Sequence, residues 1–203
     1  MLVTPDLIEQ AAITCLHSNH RRHLAALERQ LALPVRAIEP LSTIDLLADD
    51  DQRLAQDMLP ALLLTAGDLR DTGLVLRDDG RESLDMTWSL ELHVFAIGGG
   101  RDPRSDAMRR CRWYWMTAVE CLLTRLPGTE RVAHLELTAA RHETVGDSPF
   151  LAHAEVTIDV TADDCLTTAG GPILFEDPAD QYVPPTSGQP ANDVLVTVTR
   201  TTP

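Results

Sequence analysis

Leu84-Asp85-Met86-Thr87-Trp88-Ser89-Leu90-Glu91-Leu92-His93-Val94-Phe95-Ala96, then Ile97-Gly98-Gly99-Gly100-Arg101-Asp102-Pro103, is the stretch whose reading decides the fold. Its even positions are apolar from Leu84 to Ala96, and its odd positions from Asp85 to His93 are polar. A period of two describes a half-buried strand. The three glycines break the strand. Asp102 supplies an N-cap acceptor, and Pro103 stands at the first helical position, where a missing N–H costs nothing. Met108, Cys111, Trp115, Ala118 or Val119, Leu122 and Leu126 then recur at spacings of three and four until Leu126-Pro127-Gly128 ends the run. One strand and one amphipathic helix, joined by a tight corner, are expected to bury their apolar sides on each other.

Upstream, Thr4 is expected to cap a first helix that Pro5 opens and that runs to about Ala32, with Leu7, Ile8, Ala11, Ala12, Cys15 and Leu16 on one stripe, continued by Leu24, Leu27 and Leu31. Its middle, His17 to His23, is polar all round and reads as solvent-exposed or as a contact with another subunit. Histidines 17, 20 and 23 drift around the helix and do not share a metal-binding side. The apolar run Ala61-Leu62-Leu63-Leu64 has the length of a buried strand, or closes a helix, and residues 68–82 read as a turn-rich connection. Downstream, Ala133, Leu135, Leu137 and Ala139 form the apolar phase of one strand. Ala152, Ala154, Val156, Ile158 and Val160 form that of another, with Gly146-Asp147-Ser148-Pro149 connecting them.

The resulting class is α+β: a mainly antiparallel sheet of about four to five strands with two main helices packed on it. The composition changes near residue 165. Residues 166–203 contain Gly170-Gly171-Pro172, Pro184-Pro185 and Pro190 and end on alternating Val194, Val196 and Val198. They are expected to form an extended arm whose last strand exchanges with a neighbour's sheet edge, or else a tail without fixed structure.

Composition narrows the function. The chain has 203 residues, 44% of them hydrophobic, enough for a real core. A net charge of -14 opposes general binding to nucleic acid or to an anionic membrane. The absence of long apolar runs or a leader-like start leads to the expectation of a soluble protein, cytosolic at synthesis. Cys15, Cys111, Cys121 and Cys165 form no C-x-x-C pair, and Cys15 and Cys111 read as small buried hydrophobes. Against the acidic background, Arg101, Arg104, Arg109, Arg110 and Arg112 form one basic concentration, read as a solvated surface, or as a contact with an acidic neighbouring subunit or with passing DNA. Trp113, Tyr114 and Trp115 occupy consecutive helical positions and point in three directions, so Trp113 and Tyr114 are candidate interface aromatics.

Catalytic patterns are weak. Gly98-Gly99-Gly100 matches no nucleotide-binding fingerprint, and Asp102 would repel a phosphate. Ser148 in G-D-S-P is no nucleophile elbow, and nothing in their spacing converges His142, His153, Asp163 and Asp164 on a metal. No cofactor, metal or catalytic residue is expected.

The order of elements resembles the tail terminator proteins of long-tailed bacteriophages, over roughly residues 1–165. The likeness is carried by Trp88 to Ala96, the break at Gly98 to Asp102, the helix through Ala107, Tyr114, Ala118 and Val119 to Leu122, and the strand Ala154 to Val160. The resemblance implies a non-enzymatic virion protein of the tail or neck, present in the host cytoplasm during assembly. It implies a homo-oligomeric, hexameric ring that caps the tail tube, ends its polymerisation and joins the head-tail connector or stopper protein. DNA would pass through the lumen, and no membrane is involved. The long arm departs from that pattern. Alternative readings are another neck or connector subunit, a tail tube subunit, or, from a different class, a small ligand-binding or enzymatic domain in which His142 or His153 meets Asp163 or Glu155 in one cleft.

Overall fold

Residues 4–47, 54–78, 80, 82–127, 132–145 and 150–167 are described by a computed structural model. The decisive stretch forms strand β3 (Glu82–Ile97) and helix α2 (Pro103–Arg125). Gly98 is required where they meet, because any Cβ there would strike the Pro103 carbonyl and the Ala107 amide of α2. Gly100, at φ +78°, takes the left-handed conformation that turns the chain into the helix. Asp102 caps it, its carboxylate accepting the Ser105 N–H at 3.2 Å.

Helix α1 (Pro5–Gln30) opens at the expected proline, but Thr4 makes no side-chain cap; its carbonyl accepts the Leu7 and Ile8 amides instead. Strands β1 (Thr43–Leu46), β2 (Ala61–Leu76), β4 (Val132–Thr144) and β5 (Leu151–Thr167) complete a five-stranded sheet in the order β1-β2-β3-β5-β4. The pair β1/β2 is parallel and the other three pairs are antiparallel. Since β5 lies between β3 and β4, α2 carries the chain across one strand. The α+β class, with two helices on a mixed five-stranded sheet, is the fold.

Both helices cover the same side of the sheet. Leu90, Leu92, Val94 and Ala96 of β3 and Ala152, Ala154, Val156, Ile158, Val160 and Ala162 of β5 form one buried cluster with Ile8, Ala12, Leu16 and Leu24 of α1 and Ala107, Cys111, Tyr114, Ala118 and Leu122 of α2. Burial of this apolar surface, at about 25 cal/mol per Å², is the dominant driving force for the fold.

Three expectations need correction. Residues 68–76 are not a connection: β2 continues through them, paired with β3 as far as Leu76↔Glu82. This outer ribbon is exposed, with Leu69, Leu74 and Leu76 at 49%, 69% and 70%, so backbone pairing holds it and no apolar alternation marks it. Arg77 ties its tip, donating to Ser83 Oγ at 2.9 Å and pairing with Asp85 at 2.6 Å. Second, the apolar phase of β4 changes sides. Register shifts between Val132 and His134 and between Leu137 and Ala139 leave Val132 and Leu135 buried but Ala133 and Ala139 exposed. Third, β5 runs past residue 165 to Thr167. The remainder of the expected arm lies outside the described residues.

Candidate assembly surface

The arginines divide into two sets. Asp106, one turn into α2, pairs with Arg109 and Arg110 and accepts the Gly99 N–H at 3.0 Å. Burial pushes its carboxyl up, but the Gly99 amide and the two guanidinium groups outweigh that and hold it below the usual range. The amide that would have to greet a phosphate at the glycine corner is thus already bound to a carboxylate of the same helix. Arg109 also lies over the Trp113 ring, 5.2 Å from its centroid. Arg101, Arg104 and Arg112 are exposed, and among the described residues no ion pair engages them. These three carry the cluster's outward charge.

Of the two candidate interface aromatics, Tyr114 is a correction. It is fully buried, and its hydroxyl donates to the Glu39 carbonyl at 2.8 Å, so it fastens the chain after α1 to α2. Burial pushes its hydroxyl up to about 12. Trp113 is half-buried and reaches the surface beneath Arg109. Trp115 tilts over His142 with ring centroids 5.5 Å apart, and its indole Nε1 is buried without a hydrogen-bond partner among the described residues.

His20 is the exception in the polar middle of α1, where His17, Ser18, Arg21 and Arg22 are exposed as expected. Only 3% exposed, it places Nε2 2.9 Å from Thr117 Oγ1 and 3.3 Å from the Tyr114 carbonyl. Burial is the main cause that pushes its imidazole down from 6.5 to about 4, so it sits neutral between the helices. Glu28 is similarly buried, accepting the Ile38 and Arg36 amides at 2.9 and 3.2 Å. A single polar residue in a helix is no local signal for either contact, because the partner comes from elsewhere in the chain.

The second side of the sheet is polar. Glu91, Glu155, Thr157 and Asp159 line a cleft of about 450 Å³ together with Arg70 and Arg141. Asp159 Oδ1 is buried there with no hydrogen-bond partner among the described residues. Further along, His93 Nδ1 lies 3.2 Å from His153 Nε2, Phe95 stacks on His153, and His153 Nδ1 lies 3.2 Å from Glu143. An enzyme is expected to place His142 or His153 with Asp163 or Glu155 in one cleft; Glu155 lines the polar cleft, whose lining includes neither histidine, and His153 lies two positions from it on the same side of β5. His142 lies on the helix side beside Trp115, and His153 lies on the opposite side. Asp163 is ten positions from His153 along β5, about 33 Å at strand rise. Among the described residues, no group of three or more His, Cys, Asp or Glu side chains is arranged to hold a metal ion, and no helix is long and apolar enough to cross a membrane. Ser148, the side chain of Asp164, and the expected exchange strand of Val194, Val196 and Val198 lie outside the described residues.

No protein-family model and no curated protein matches the chain. Among solved structures, it is similar to a chain of the virion of a native gene transfer agent particle, at 10% identity over 69% of this chain and 93% of that one, with a TM-score of 0.38. Overlap at that level assigns neither family nor function.

Proposed function

We propose that the chain is a virion structural protein that acts by assembly, forming a ring that caps a phage tail tube, ends its polymerisation and joins the tail to the head connector. The observation that carries this reading is the pairing of two unlike surfaces on one subunit. One is basic, where α2 presents Arg101, Arg104 and Arg112. The other is the bare side of the sheet, where Glu91, Glu155 and Asp159 lie half-exposed. Surfaces that differ in this way suit head-to-tail contact between copies, which closes into a ring when the rotation between neighbours permits. Exposed leucines on the β2/β3 ribbon offer a further apolar contact. The resemblance of the sequence to tail terminators suggests the biological setting, with the tube protein and the connector or stopper as partners and DNA in the lumen. Capping then follows from asymmetry: one ring face docks on the last tube ring, and the other does not propagate it.

The test is a polymerisation assay. Tail tube protein is allowed to polymerise with and without this chain, and tube lengths are read by electron microscopy. Short tubes bearing a terminal ring are the expected result, whereas an unchanged length distribution with no bound chain would overturn the capping reading.

A further inference from the structure

We propose that Cys15 and Cys121 are a hydroperoxide-responsive thiol pair, Cys15 being the thiol attacked and Cys121 the one that resolves it into a disulfide joining α1 to α2. The residues are 106 positions apart and meet because the helices pack side by side on the sheet. Their sulfurs are 4.0 Å apart. Cys15 Sγ lies 3.9 Å from the Cys121 carbonyl oxygen, and Cys121 Sγ lies 3.8 Å from the Cys15 carbonyl oxygen. This reciprocal approach brings both backbones near the contact. Closing to a bond of about 2.05 Å then asks each sulfur to move only about 1 Å, the scale of a χ1 adjustment.

The two thiols differ in access and in charge. Cys121 is fully buried. Cys15 is half-buried and opens into a groove of about 380 Å³ shared with Leu7, Ala11, Ser18, Asn19 and Arg125. The hydrogen-bond contact with Cys121 and the Arg125 guanidinium hold the Cys15 thiol below its ordinary value, against the opposing effect of burial. The contact with Cys15 and burial push the Cys121 thiol up. An accessible thiol held below its ordinary value, within disulfide reach of a buried second thiol, is the arrangement that oxidises selectively and then condenses. The other two cysteines lack that access. Cys111 is buried, donates to the Val94 carbonyl at 3.3 Å and is pushed up to about 12 by burial, and Cys165 is buried with its Sγ 3.2 Å from the Ala162 carbonyl.

The chemistry balances in two steps. Cys15 thiolate attacks the outer oxygen of a hydroperoxide; the O–O bond breaks, an S–O bond forms, and the departing alkoxide or hydroxide takes a proton. Sulfur is oxidised by two electrons and the peroxide is reduced. The Cys121 sulfur then attacks Cys15 sulfur, the S–O bond breaks, and hydroxide leaves as water with the Cys121 proton.

This inference does not depend on the assembly reading and is tested separately. The reduced full-length chain is exposed to hydrogen peroxide, quenched at intervals, and read by intact mass and non-reducing peptide mapping. The expected result is loss of two hydrogen masses and a cross-linked peptide pair containing Cys15 and Cys121, before any change at Cys111 or Cys165. Under the same oxidant, Cys121→Ser and Cys121→Ala should stop at a sulfenic acid on Cys15 that dimedone captures. Cys15→Ser should slow the first oxidation by about tenfold or more. First oxidation at Cys111 or Cys165 would overturn the proposal, as would an intermolecular Cys15 disulfide or passage of wild-type Cys15 to sulfinic acid without the cross-link. The wild-type result decides it even where a variant folds poorly.

Discussion

Strand β3 serves two environments with alternate residues. Leu90, Leu92, Val94 and Ala96 are sealed under α1 and α2, while Glu91, His93 and Phe95 on the other side remain half-exposed, His93 and Phe95 stacking on His153 of β5. The first set is satisfied within the subunit. The second contains charged and aromatic groups that one copy of the chain leaves partly uncovered. Stability therefore resides on one side of the sheet and, in this account, association draws on the other together with the outward arginines of α2.

That division is sharpest at adjacent residues. Leu92→Ala removes a fully buried side chain and is expected to cost about 2–5 kcal/mol in a denaturant titration, whereas Glu91→Ala should cost less than about 0.5 kcal/mol. Equal losses would break the comparison. The helix side also carries a pH signature through His20. Its folded value, about 4, lies below 6.5, so the unfolded chain binds more protons between these values. The contribution is fully present above about pH 6.5 and is lost as pH falls towards 4, by about 3 kcal/mol in total. His20→Gln should flatten that slope in denaturation curves recorded across the window.

Smaller effects follow. Tyr114→Phe leaves the Glu39 carbonyl without its donor and should cost about 1 kcal/mol by thermal denaturation. Arg104→Glu combined with Arg112→Glu alters exposed groups that no ion pair engages among the described residues, and should change stability by less than about 0.5 kcal/mol. The same double variant should nevertheless weaken association measured by sedimentation, which separates the two roles most cleanly.

What could be read from sequence follows the same division. β3, the glycine corner, α2 and the buried phase of β5 are legible because burial on one side imposes a period on consecutive residues. Strand β1 has only four residues, too few for a period to show. The outer half of β2 was hidden because it is exposed, with register shifts between Ala66 and Leu69 and between Leu69 and Asp71. β4 misled because its bulges reverse which residues face inward. Contacts between distant segments were not legible at all: His20 with Thr117, Tyr114 with Glu39, and Cys15 with Cys121 depend on how α1 and the chain after it lie against α2. Of the expected surface, the arginines sit at the start of α2 as read, but Asp106 neutralises two of them, and Tyr114 belongs to the core.

The most direct measurement of the central claim is the mass of the purified full-length chain by light scattering, across a concentration series and at low and high salt. The account predicts one discrete ring-sized species, alone or on addition of tube protein, that weakens as salt screens the arginine and carboxylate surfaces. A strict monomer at every concentration and salt, unchanged by tube protein, would contradict it.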